Sequence, residues 1–138
     1  MNNAREIKII DRAMGILNTP SKWIKGATAT NKDGVKTYPP SDETTCFCIH
    51  GAIYKALYEQ KIEKHKWHKT YYKIAYTICK VANIGHSSDH QNNLAHYQNS
   101  LMDFNDNENT TYETLMNALK RAKAFLSTPA EVSLNSKE

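Results

Sequence analysis

The chain has little of what secretion or membrane insertion would require. Its three cysteines are an odd number, which does not suit a complete disulfide framework. No run approaches the roughly 20 consecutive apolar residues of a transmembrane helix. The opening residues, MNNAREIKII, lack the continuous apolar segment of a signal peptide. We therefore expect a cytoplasmic protein with reduced thiols and no membrane contact.

Familiar signatures of enzymes are also missing. The 138 residues contain no glycine-rich phosphate loop, no nucleophile elbow and no pair of catalytic carboxylates. The formal net charge of +4 permits contact with nucleic acid but does not require it. The length suits one domain. We assign residues 1–128 to a single α-rich domain and residues 129–138 to a flexible C-terminal tail, and we predict no cofactor.

Hydrophobic periodicity predicts a mainly α fold of four to five helices packed around a central helix, at about residues 45–60. Apolar residues are nearly continuous there from Cys46 to Leu57, which is typical of a helix that neighbours enclose. Asp42, Thr44 or Thr45 would cap its start. Further helices are predicted at residues 2–18, 67–82, roughly 88–103 with Ser87 or Ser88 as its cap, and from a capping box at Thr110–Glu113 to residue 128.

Two of these helices have well-defined apolar stripes. Spacings of three and four residues place each stripe on one face of its helix. The first helix is predicted to bury Ile7, Ile10, Met14 and Leu17, and the last helix Leu115, Ala118, Leu119, Ala122 and Leu126.

One short β-hairpin is predicted at about residues 23–38. Threonines and Val35 favour extended structure, and Asp33-Gly34 supplies a residue that tolerates positive φ at the turn. An isolated hairpin is marginal in water, so it must pack on the helices, with Trp23 as the expected anchor.

Three short motifs occur in order along the chain: Trp23-Ile24-Lys25-Gly26-Ala27, Cys48-Ile49-His50-Gly51-Ala52 and Phe104-Asn105-Asp106. With the capped last helix, they resemble a family of small bacterial and phage domains of unknown function. That family has the pattern Trp-x-x-Gly-Ala, Cys-x-x-Gly-Ala and aromatic-Asn-Asp. The resemblance covers residues 5–126 and implies a shared fold and pocket, but no reaction. The chain departs from the pattern at Cys46 and in the basic, aromatic stretch 60–80.

Cys48 is a candidate nucleophile. A thiol at a helix N-terminus is favoured as thiolate by the helix dipole. If the protein is an enzyme, we expect Cys48, His50 and Asn105 to take part, with His86, His90 or His96 as alternative bases. The simpler interpretation, which we favour, is that Cys48 is a small apolar residue packed beside Gly51.

A zinc site is a weaker alternative. The Cys46-x-Cys48-x-His50 sequence has suitable ligand types, and His86 and His90 are one helical turn apart. The paired spacing of a typical zinc site is missing, however, and neighbouring ligands on a helix would diverge. We therefore predict no metal.

The segment 55–80 combines an excess of five positive charges with interleaved aromatic residues, among them Trp67, Tyr71, Tyr72 and Tyr76. Lysines neutralise phosphates and aromatic rings stack on exposed bases, so this pattern is typical of single-strand binding. A solvated helix face with aromatic core contacts is the alternative that we favour. The candidate binding residues here are Lys66, Trp67, Lys69, Tyr72 and Lys73.

A second candidate binding site combines Trp23 and Lys25 with Asn105 and Asp106. Asn-Asp pairs between helices most often form turns, but this pair could border a polar pocket beside the hairpin.

The absence of a convincing catalytic set favours a small non-enzymatic binding protein. Together with the resemblance, it suggests a phage or mobile-element protein that occupies a host protein or complex, as an inhibitor of a defence system would. A nucleic-acid-binding module using residues 55–80, or a Cys48-dependent enzyme, are the alternatives.

Overall fold

The computed structural model describes residues 2–85 and 93–128, and the predicted mainly α fold is confirmed. Five helices and one small sheet follow each other along these residues. In chain order they are α1 (Ala4–Ile16), a 3-10 turn (Pro20–Lys22), β1 (Ala29–Thr30), β2 (Cys46–Phe47), α2 (Ile49–Glu59), α3 (Lys64–Ala82), α4 (Leu94–Asp106) and α5 (Tyr112–Ser127).

The sheet pairs β1 with β2 in antiparallel orientation, with Ala29 opposite Phe47 and Thr30 opposite Cys46. The predicted hairpin turn is present: Gly34 has φ +81°, and Thr30 forms a single antiparallel bridge with Lys36. The second strand of the sheet nevertheless comes from residues 46–47, beyond the predicted hairpin. Two strands of two residues each are too short for periodicity to reveal their partner.

Helix α2 begins at Ile49, later than predicted, because Cys46 and Phe47 are in β2. Its N-cap is Cys48, whose sulfur accepts a hydrogen bond from the Gly51 N–H at 3.3 Å. The predicted capping by Asp42, Thr44 or Thr45 is therefore wrong.

The buried face of α2 is part of the hydrophobic core. Helices α1 and α4 and strand β2 pack against it. Its wholly buried residues are Ile49, Ala52, Ile53, Ala56 and Leu57.

The buried face of α1 is rotated slightly from the predicted one. Ile10 and Leu17 are fully buried as expected, whereas Ile7 and Met14 are only half-buried. Ile9 and Ala13 take their place, because neighbours cover a wider sector of the helix than a single i, i+3 row.

Helix α3 ends at Ala82, and the left-handed conformation of its C-cap residue Asn83 (φ 57°) closes it. Helix α4 is capped by Asn93 and continues to Asp106, three residues beyond its predicted end at about residue 103. The predicted caps Ser87 and Ser88 lie outside the described residues, as does the predicted tail at 129–138.

Helix α5 buries every residue of its predicted stripe. Its cap is Thr111, one residue later than the proposed capping box, and the Thr111 hydroxyl accepts from the Thr114 N–H at 3.0 Å. Throughout the parts of the chain that the structure describes, no helix combines the length and apolar character of a membrane crossing.

Candidate functional site

Asn105 joins the three sequence motifs at one buried point. Its side chain is fully buried, and its amide oxygen accepts from Trp23 Nε1 at 2.6 Å and from the Ile49 N–H at 2.9 Å. Its amide nitrogen donates to the Ile24 carbonyl at 2.9 Å and to Asp106 Oδ1 at 3.0 Å. An amide side chain has two donors and two acceptor positions. All four are filled by the protein itself.

The neighbouring residues of the predicted pocket also bond within the fold. Asp106 accepts from the Gly26 N–H at 2.9 Å, and Gly26 has φ +82°, which favours glycine. Lys25 donates to the Asn107 carbonyl at 2.7 Å, and its ammonium lies 5.3 Å from the centre of the Trp23 ring. The structure thus brings the predicted binding residues Trp23, Lys25, Asn105 and Asp106 together, as a network that connects α4 to the segment before β1.

Gly51 permits the closest backbone approach of this junction. A Cβ atom there would lie 2.2 Å from the Thr28 carbonyl oxygen. The same carbonyl accepts from the Cys48 N–H at 3.0 Å. The Cys-x-x-Gly motif therefore supplies a helix cap and a contact that only glycine fits.

The Cys48 thiol is buried, and its pKa is raised rather than lowered. Cys48 is 3% exposed, and it lines a cavity of about 350 Å³ together with Asn105 and Asp106. Burial raises the pKa of Cys48, and the charge of Asp106 acts in the same direction. The hydrogen bond from Gly51 lowers this pKa, but the effect of burial is larger.

The structure does not bring His50 to Cys48. Nδ1 of His50 is 2.6 Å from the Tyr71 hydroxyl, and burial lowers the pKa of the imidazole. Nε2 of His96 is 2.6 Å from the Gly85 carbonyl oxygen. In the described ranges no imidazole contacts the thiol of Cys48, so the predicted Cys-His-Asn arrangement has only its cysteine and asparagine in one cavity. His86 and His90 lie outside those ranges.

The two cysteines of the possible zinc site also have different partners. The Cys46 sulfur is 3.5 Å from the Ser21 carbonyl oxygen, whereas the Cys48 sulfur caps α2. Residues 2–85 and 93–128 contain no group of three or more histidine, cysteine or acidic side chains placed to hold a metal.

A second, larger cavity opens between the loop at Tyr38, the end of α2 and the start of α3. We call it the aromatic groove, and its volume is about 700 Å³. Its aromatic lining consists of Tyr38, Tyr54, Tyr58 and Trp67, and its remaining lining of Lys61, Ile62, Lys64 and His68.

The rings of the groove form a connected cluster. The ring centres of Tyr54 and Trp67 are 5.0 Å apart with their planes at 69°, and those of Tyr38 and Tyr54 are 5.8 Å apart. Behind them, Trp67 lies parallel to Tyr71 within 6°. Tyr38 and Tyr58 remain 58% and 59% exposed. Contiguous exposed apolar patches, unlike single exposed residues, often mark interaction sites.

The geometry of the link between α2 and α3 creates this groove. Lys61 has a left-handed backbone (φ 55°), and the Ile62 N–H donates to the Leu57 carbonyl, so the chain reverses over a few residues. Lys64, Trp67 and His68 then follow at i, i+3 and i+4, which places them on one face of α3. None of the described residues that line the groove is acidic.

The predicted nucleic-acid residues divide between two faces of α3. Trp67 lines the groove, and Lys66 and Lys69 lie beside it in sequence without lining it. Tyr72 instead packs against Tyr97, with ring centres 5.6 Å apart, and Lys73 donates a hydrogen bond to Asn3.

The sequence interpretation missed Tyr38, Tyr54 and Tyr58 as site residues. The i, i+4 spacing of Tyr54 and Tyr58 on α2 was a usable signal. Their contact with Trp67 depends on the chain reversal between α2 and α3. That reversal contains no glycine from which it could have been predicted.

Comparison with known proteins places the chain in a family. No curated protein and no solved structure matches it. A family model matches residues 1–125, which include all three motifs of the Asn105 network. The chain therefore belongs to the family of unknown function DUF6197.

Proposed function

We propose that this protein is a non-enzymatic binding module whose recognition site is the aromatic groove. The observation that carries the proposal is a contrast between two regions. The motif residues fill one another's hydrogen-bonding positions around a buried thiol, whereas the groove presents exposed rings and lysines to solvent. A volume of about 700 Å³ is within the range of ligand sites in proteins.

In this proposal the protein acts by occupancy. A host macromolecule that holds part of itself in the groove is withheld from its own ligand, as inhibition of a defence system would require. The lack of an imidazole beside Cys48 in the described ranges supports binding over catalysis. The small size of the domain and the connected aromatic cluster support a rigid surface of this kind.

The test is affinity capture from bacterial lysate with matched variants. Tyr58→Ser combined with Lys64→Glu alters the groove at exposed positions, and Phe125→Ser combined with Lys120→Glu makes the same changes at exposed positions of α5. Both bound proteins and bound nucleic acid are identified, and the partner is then purified and bound again.

We expect a partner that the wild-type chain and the α5 variant retain and the groove variant loses. Equal retention by both variants, or no retained macromolecule of either class, would contradict the proposal. Thermal denaturation of each variant establishes that loss of binding is not loss of fold.

A further inference from the structure

We infer that the aromatic groove binds single-stranded nucleic acid, with a base stacked among its rings and the adjoining phosphates on Lys61 and Lys64. This inference rests on the proposed function and names its ligand class. A strand of this kind needs flat apolar faces for bases and cations beside them for the backbone.

The rings supply the apolar faces. Tyr58 and Tyr38 both line the groove and are 59% and 58% exposed. Tyr54 is held by its ring contacts with Trp67, at 5.0 Å, and with Tyr38, at 5.8 Å. Because the inner rings are already packed, a base would meet a preorganised platform and little side-chain entropy would be lost.

The charges supply the backbone contacts. Lys61 and Lys64 are exposed and border the same groove as the rings, and the groove lining contains no carboxylate that would repel phosphate. The two acids adjacent to lining residues in sequence lie outside the lining: Glu59 is paired with Arg12, and the Glu63 carboxylate is 3.3 Å from Nε2 of His65. The site is therefore complementary to an anion that carries planar rings.

A double helix does not fit this chemistry. In a duplex the faces of the bases are stacked on one another, so aromatic side chains cannot reach them without unstacking. An acidic peptide would satisfy the lysines but would leave the exposed faces of Tyr38 and Tyr58 without a planar partner. The combination of ring faces and cations favours an unpaired strand.

The experiment measures fluorescence anisotropy of a labelled oligothymidylate of about ten nucleotides, titrated with the full chain at about 50 mM salt. The tested variants are Tyr58→Ser and Lys64→Glu. Their matched controls are Phe125→Ser, which removes a ring that is 43% exposed, and Lys120→Glu. A duplex of the same length is titrated in parallel.

We expect the single strand to bind more tightly than the duplex. Tyr58→Ser should weaken binding at least roughly fivefold, the loss of one stacked base, while the controls leave it unchanged. With two lysines on phosphates, the logarithm of the affinity should fall with the logarithm of salt concentration at a slope of about −1.4.

Three results would overturn the inference: a Kd weaker than about 100 µM for the single strand, the weak limit of non-specific binding, equal effects of the groove and control variants, or equal affinity for the duplex. If oligonucleotides fail to bind while the groove variant loses a captured protein, the ligand class is wrong and the proposed function stands. If neither assay depends on the groove, both are wrong.

Discussion

Replacing Asn105 with alanine should destabilise the fold severely. The substitution removes four hydrogen bonds and leaves the Ile49 N–H, the Trp23 indole N–H and the Ile24 carbonyl without their partner. Ile49 is fully buried, so its unsatisfied N–H costs about 1–3 kcal/mol. The hydrogen bonds to Trp23 and Ile24 are only partly buried, so the loss of each should cost the net value of about 1 kcal/mol.

We expect a total loss of about 3–5 kcal/mol in the free energy of unfolding. This is a large share of the roughly 5–15 kcal/mol that is typical of a folded domain. Urea denaturation followed by circular dichroism measures it, and the midpoint of thermal unfolding should fall by about 10 °C or more.

Asn117→Ala is the matched control, because Asn117 is exposed on α5. It should change the stability by less than about 0.5 kcal/mol. A similarly small effect of Asn105→Ala would refute the structural role of Asn105 and return it to the candidate ligand-binding residues.

Three further predictions follow from other contacts. Gly51→Ala should cost at least about 3 kcal/mol or abolish folding, since the new Cβ would lie 2.2 Å from a carbonyl oxygen; normal urea stability would contradict this. Cys46 is half-buried and should react with iodoacetamide before Cys48, as mass spectrometry can resolve. Burial and a raised pKa should keep the reaction of Cys48 slow below about pH 9. The reverse order would support a reactive Cys48. The hydrogen bond from Arg12 lowers the pKa of Glu59, so this pair should contribute stability above the ordinary glutamate pKa of 4.5 and lose it as pH falls through the lower folded value. Because the pair is largely exposed, Arg12→Ala should cost only about 0.2–1 kcal/mol at neutral pH, and little at low pH, in urea titrations.

Local patterns predicted the helices well. The stripe of α5 from Leu115 to Leu126 is buried as its 3.6-residue period indicates, because a long amphipathic helix has one face that can enter the core. The helix start at Thr111 was displaced by one residue, which is ordinary where two threonines compete for the same cap.

The pairing of distant segments could not be predicted from the sequence. Nothing local distinguishes Cys46-Phe47 as a strand from the first turn of a helix, and only the partner segment at Ala29-Thr30 decides the outcome. The same pairing moves the start of α2 to Ile49 and makes a cysteine its cap, in place of the threonines that capping preference favours.

The two candidate sites differ for a similar reason. The motif residues around Asn105 were identified as a group because their order and spacing along the chain are distinctive, although their bonding within the fold was not foreseen. The aromatic groove depends on the positive φ of Lys61, a conformation that is uncommon for residues other than glycine. Its tyrosines on α2 could not be placed beside Trp67 before that reversal was known.

We propose that the three motifs form a fixed structural junction and that recognition takes place at the groove. Native-state hydrogen exchange at the Ile49 amide, which donates to Asn105, tests it most directly. We predict that this amide exchanges only through global unfolding, with an opening free energy equal to the urea-derived free energy of unfolding. Exchange through a local opening of much lower free energy would contradict the claim and identify the junction itself as a moving part.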